Sequence, residues 1–174
     1  MAANASKQPR TATLAWVTSL GGPLILVPES ACRHWQGAPI EHSGSEGDYG
    51  RACAVDGYIG LIDVGPTQAL VLGEEPADTT FLPEQKTLLR WCAAESADDL
   101  VEAAIEVIDS GTVPEDEELI WAVHEPLILF DSAFSHKEIT SEEHLRIELT
   151  PGRYTVRAAY IERPKTWMIL VRFT

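Results

Sequence analysis

The chain has 174 residues, 45% hydrophobic and 23% charged, which excludes a wholly disordered polymer and supplies a core that needs neither disulfide nor metal. Thirteen Lys and Arg stand against 27 Asp and Glu, a formal net charge of −14 at pH 7 that disfavours nonspecific attraction to nucleic acid or an anionic membrane. A basic partner is the natural complement, although acidity of this size also serves solubility alone.

Taken in chain order, residues 1–13, opening MAANASKQPRTA, are small and polar and read as a disordered tail, and residues 14–174 read as a single β-rich domain. Gly21-Gly22-Pro23 then precedes the apolar run LILVP. A phosphate loop needs its glycines between a strand and a helix, with a Lys-Ser/Thr pair; here the order is reversed and the pair is missing. The glycines therefore read as a sharp turn and Pro23 as the start of a strand. A short helical turn over Ser30–Trp35 follows, with Ala31, Cys32 and Trp35 on one side.

The runs GYIGLIDVG and QALVLG are short β segments joined across Gly65 and Pro66. In TLLRWCAAE the alternation of Leu89, Trp91 and Ala93 predicts a strand, although Leu88, Leu89 and Cys92 also fit a helix. The amphipathic helix spans Ala97–Asp109, with Leu100, Val101, Ala104, Ile105 and Ile108 on one stripe and Asp98, Asp99, Glu102 and Glu106 opposite. Ser96 is its cap, Asp99 sits as in a capping box, and Gly111 lies just past its end.

LIWAV and PLILFDS read as a pair of strands meeting near His124 and Glu125. Leu145, Ile147 and Leu149 alternate with His144, Arg146 and Glu148, as a half-buried strand requires. Thr150-Pro151-Gly152-Arg153 reads as a reversal. A strand facing inward at Tyr154, Val156, Ala158 and Tyr160 follows, and after ERPK another at Trp167, Ile169, Val171 and Phe173 completes an antiparallel meander. The fold class is mostly β (α+β): an antiparallel β-sandwich or curled sheet with one packed amphipathic helix and a short helical turn.

Two further chemistries have candidate residues. His124 with Glu125, or Asp131 with Ser132 and His136, has the residue types of a small hydrolase or ligand-binding β protein, but lacks a strained nucleophile elbow such as Gly-x-Ser-x-Gly. The histidines His34, His42, His124, His136 and His144 are scattered, and PEDEEL lacks the donor alternation and central glycine of a calcium loop, so no metal and no cofactor is expected. Cys32, Cys53 and Cys92 read as free thiols; the amino terminus has no export-signal pattern and PLILVP is too short to span a bilayer, so the expected compartment is the cytoplasm.

An interaction surface remains. Acidic residues crowd the presumed connections: Glu46 and Asp48; Glu74, Glu75 and Asp78; Glu115, Asp116, Glu117 and Glu118; and Glu138, Glu142 and Glu143. Tyr49 and Trp35 lie near some of these as candidate anchors, Trp35 also being a natural core residue.

The segments WVTSLGGPLILVP, DYGRACAVDGYIGLIDVG, ALVLGEEPADTTFLP, LLRWCAAES and LTPGRYTVRAAY, in that order, resemble the Immunity protein 21 family of bacterial polymorphic toxin systems. Gly21, Gly22, Pro23, Asp48, Tyr49, Arg51 and Trp91 match its pattern, and fold maintenance would account for most of them. The resemblance implies a small, largely β cytosolic protein that binds and neutralises a cognate toxin without catalysis. Combined with the charge placement, it makes Asp48, Tyr49, Glu74, Glu75, Asp78, Glu115, Asp116, Glu117 and Glu118 the expected toxin-binding set, and a toxin with a basic cleft, such as a nuclease, the expected partner. A purely structural subunit would instead carry a flat apolar patch.

Overall fold

The computed structural model describes residues 13–39 and 47–174; the expected tail, apart from Thr13, and Glu46 and His42 lie outside the described residues. Among the described residues, ten strands form two antiparallel sheets. From edge to edge the first runs β2 (Ile59–Val64), β3 (Thr67–Leu72), β1 (Leu24–Pro28), β7 (Leu127–Asp131), β8 (His144–Ile147). The second runs β4 (Thr79–Leu82), β5 (Thr87–Ala93), β10 (Thr166–Phe173), β9 (Gly152–Arg163), β6 (Glu117–Val123). Their inner faces meet through Leu24, Leu26, Leu70, Leu72, Leu127 and Leu129 from one side and Val156, Ala158, Ile169, Val171 and Phe173 from the other. The sandwich expected from the alternating runs is the fold.

Both outer faces are also covered. A 3-10 helix at Glu29–His34, α1 (Gly47–Cys53) and α3 (His136–Ile139) seal the first sheet, Ala31, Trp35, Ala52 and Ile139 packing on Ile25, Val27, Val71 and Phe130. Helix α2 (Ala97–Asp109) seals the second, laying Leu100 and Ala104 on Leu89, Ala159, Met168 and Leu170. Central strands covered on both faces have no need to alternate. This is why β1 reads LILVP and β7 reads LILFD, each buried throughout. Helix α2 has the expected bounds and cap, with Ser96 Oγ accepting from Asp99 N at 3.1 Å.

The expected pairing of LIWAV with PLILFDS is corrected. β6 pairs with β9 in the second sheet and β7 with β1 and β8 in the first, so His124–Pro126 is a corner between sheets. The meander is corrected for the same reason: β9 and β10 form a hairpin, but β8 lies in the other sheet and Thr150–Arg153 is the matching corner. The two corners lie side by side. Residues 117–131 and 144–158 form one antiparallel ribbon, from Glu117↔Ala158 to Val123↔Gly152 and then from Leu127↔Ile147 to Phe130↔His144. It bends across the sandwich where one strand is a residue longer, as sheet-switching strands do. Pro126 and Pro151 occupy the bend, where a missing amide breaks no ladder. Tyr154 Oη donates to Thr150 O at 2.6 Å and pins it.

Trp167 keeps its expected inward phase but stands 44% exposed. The cause is length: β9 has 12 residues against 6 in β2 or β3, so the β9–β10 hairpin outruns the opposing sheet.

Candidate protein-interaction surface

The Gly-Gly-Pro turn is architecture of a specific kind. Gly21 adopts φ +109°, and an added Cβ on Gly22 would collide with Tyr49 Oη and lie 2.8 Å from its Cε2. Pro23 O accepts from Ser132 N at 3.2 Å and from Ser132 Oγ at 2.5 Å. Asp131, 1% exposed, accepts from Leu20 N at 2.8 Å and from Ala133 N at 2.9 Å. The Asp-Ser pair with hydrolase-type side chains thus clamps this turn. Glu125, at the other end of β7, accepts from Ser30 N and Ser30 Oγ. The length of β7, Leu127 to Asp131, roughly 13 Å at strand rise, separates it from Asp131. His136 N donates to Trp35 O, and Trp35 is core, fully buried with Nε1 donating to Ser132 O at 3.0 Å.

The nine residues expected to meet a partner fall into three groups. Asp48 lies in α1 rather than in a loop, accepting from Gln36 N at 2.8 Å and pairing with Arg51 at 2.9 Å, with Tyr49 beside it. Asp78 accepts from Ser19 N at 3.0 Å. The third group lies at the open end of the sandwich. Glu117, which with Glu118 begins β6 rather than preceding it, accepts from Tyr58 N at 2.8 Å and Ile59 N at 3.1 Å, joining the second sheet to β2. Gly57 leaves room for it, since an added Cβ there would lie 2.5 Å from Glu117 Oε1. Glu74 accepts from Gly57 N at 3.2 Å and Asp116 from Tyr160 N at 2.8 Å. Glu115 and Glu118 hold Arg157 at 3.2 and 2.8 Å.

Electrostatics ties Glu74, Glu75, Asp116 and Glu117 to two tyrosines, whereas Glu118, opposite Arg157 in the β6–β9 register, faces the other side of the sheet. Desolvation raises the Tyr58 phenol above its ordinary pKa, and the charges of Asp116, Glu117 and Glu74 raise it further. Desolvation does the same at Tyr160, followed by Cys92, Glu162 and Glu75. Both phenols therefore stay neutral donors at pH 7. Glu162 is the direct cross-strand partner of Trp167, and Tyr160 is two residues further along the same face. The result is a shelf on which Tyr58, Tyr160 and Trp167 are surrounded by Glu74, Glu75, Asp116, Glu117 and Glu162. A depression of about 150 Å³ lined by Gly22, Pro23, Tyr49, Cys53, Glu74 and Pro76 joins Tyr49 to its edge.

Sequence reading found Glu74, Glu75, Asp116 and Glu117 of this shelf but neither Glu162 nor the aromatics, because Tyr160 and Trp167 carry an ordinary core alternation and only the unequal strand lengths expose them. It also missed Arg90, 1% exposed between the sheets. Its Nη2 donates to Gly73 O at 2.8 Å and Glu75 O at 2.6 Å, and Nη1 lies 3.4 Å from Tyr58 O. Burial lowers its pKa to about 10, against the raising effect of nearby Cys92, Glu75 and Glu117. Arg90 is thus the fixed cation beneath the acidic shelf.

Among the described residues, no three His, Cys, Asp or Glu side chains group as a metal would require, and no helix is long and apolar enough to cross a membrane. No curated protein and no solved structure matches the chain. Residues 15–166 match the family described as Immunity protein 21, a span that takes in β1 to β9, α2 and every shelf residue except Trp167. The chain belongs to the Immunity protein 21 family.

Proposed function

We propose that the protein acts in the cytoplasm of a toxin-producing bacterium and neutralises its cognate polymorphic toxin by covering the toxin's active site with the acidic shelf. The single observation that supports this reading is the ring of Glu74, Glu75, Asp116 and Glu162 around Tyr58, Tyr160 and the 44% exposed Trp167. Aromatics with little rotamer entropy make strong interface anchors, and surrounding carboxylates steer a basic partner and exclude wrong ones. A toxin whose cleft holds lysines and arginines, such as a nuclease, is the matching substrate class. Binding alone suffices for protection, so no residue here is assigned a catalytic role.

The test is co-expression with the toxin domain encoded alongside this chain. The wild type restores growth and co-purifies with the toxin, whereas a Glu75→Lys/Trp167→Ala variant, altered only at exposed positions, binds at least ~100-fold more weakly. Killing in the presence of folded wild-type protein rejects the neutralising role. Rescue untouched by the double variant rejects the shelf as its seat.

A further inference from the structure

We propose that the groove between α2 and the Leu14–Trp16 segment is a second docking surface, and that it takes a cationic amphipathic helix of a partner protein. The proposal does not rest on the toxin reading, because this groove lies on the outer face of the second sheet and the shelf on its inner face.

The helix spacing makes the site. Leu100 and Ala104 are fully buried beneath α2, whereas Val101 and Ile105, one position on, are only half-buried and form a floor with Leu14 and Trp16. Trp16 is held in place by an edge contact with Trp91, ring centroids 5.4 Å apart. The groove encloses about 700 Å³. Along its rim Asp98, Glu102 and Asp109 follow the same helical stripe, all exposed, and among the described residues no lysine or arginine lines it. From residue 98 to 109 the stripe runs about 16 Å, the length of three turns of a partner helix.

Charge complementarity decides the occupant. An apolar floor under the acidic rim of Asp98, Glu102 and Asp109 penalises a neutral or acidic segment, which would leave these carboxylates partly desolvated and unpaired. A helix with leucine-like side chains on one stripe and Lys or Arg flanking it satisfies both floor and rim, which is the groove mode of peptide recognition.

The experiment uses the full chain and three probes: a 16-residue Leu/Lys amphipathic peptide, a Ser/Lys peptide of equal charge, and the same Leu/Lys peptide added to protein lacking residues 1–12. Methyl resonances of Leu14, Val101 and Ile105 report occupancy. The Leu/Lys peptide shifts these methyls; Glu102→Lys/Asp109→Lys, which keeps the helix amino end intact, weakens it roughly tenfold; and Glu74→Lys/Glu75→Lys leaves it unchanged. Equal binding by the Ser/Lys peptide, methyl shifts confined elsewhere, or no shift at all overturns the proposal. Binding only after removal of residues 1–12 also overturns it, by identifying this chain's own amino terminus as the occupant. Loss of toxin rescue in the shelf variant with groove binding intact would leave this proposal standing, so the two readings fail separately.

Discussion

At the scale of single residues, the fold is set by side chains that claim backbone groups rather than each other. Arg90 spends its guanidinium on the carbonyls of Gly73 and Glu75, where the loop after β3 meets the segment that enters β2. A carboxylate partner would have neutralised it, but carbonyls leave a positive charge beneath an acidic surface, which reduces the self-repulsion of the carboxylates above. Gly22 illustrates the same economy sterically. The Tyr49 ring lies where a Cβ would be, so Gly22→Ala is expected to destabilise the protein by about 1–3 kcal/mol, the usual cost of overpacking. In a Tyr49→Ala background the obstruction is gone, and the same substitution should cost at least ~1 kcal/mol less in urea denaturation. Equal costs in both backgrounds would mean that the glycine serves backbone conformation alone.

At the scale of elements, legibility followed from how many faces a segment buries. Where one face is buried, as along Leu145 and Ile147 or Tyr154 to Ala158, alternation announced the strand; where α2 packs one stripe, its period and its Ser96 cap announced the helix. β1 and β7 bury both faces and read only as apolar runs, so their partners were not legible. The ribbon of 117–131 against 144–158 defeated local reading because its turns are corners between sheets, and a corner and a hairpin share the same Pro and Gly chemistry. Short α1 and α3 were missed for want of a full apolar stripe. The acidic residues were legible as a charge, but not as ties: Glu117 looks like any loop carboxylate until its two oxygens meet the amides of Tyr58 and Ile59. Glu117→Gln keeps one acceptor and turns a donor toward the other amide, so it should cost about 1.5–3 kcal/mol although the residue lies at a strand end. An unchanged urea midpoint would show that the tie between β6 and β2 contributes nothing.

At the scale of the whole molecule, a net charge of −14 does two jobs that salt separates. Long-range attraction between an acidic protein and a basic toxin acts before contact and is screened within about 10 Å at 0.1 M salt, whereas anchors buried in the complex act after contact and are screened far less. Three of the five shelf carboxylates are already engaged, Glu117, Glu74 and Asp116 on backbone amides. Their charge still contributes to the field, but their hydrogen-bonding capacity is partly spent, so they are built to steer more than to grip. Under the proposed function, gripping falls to Tyr58, Tyr160 and Trp167. Raising salt from about 0.05 to about 0.5 M should therefore slow association with the toxin roughly tenfold or more while changing dissociation little. Trp167→Ala should do the reverse, speeding dissociation at either salt concentration with association nearly intact. Stopped-flow or surface-based kinetics on the two variables reads this directly, and a salt effect carried wholly by dissociation would assign the carboxylates, not the aromatics, to the desolvated centre of the interface.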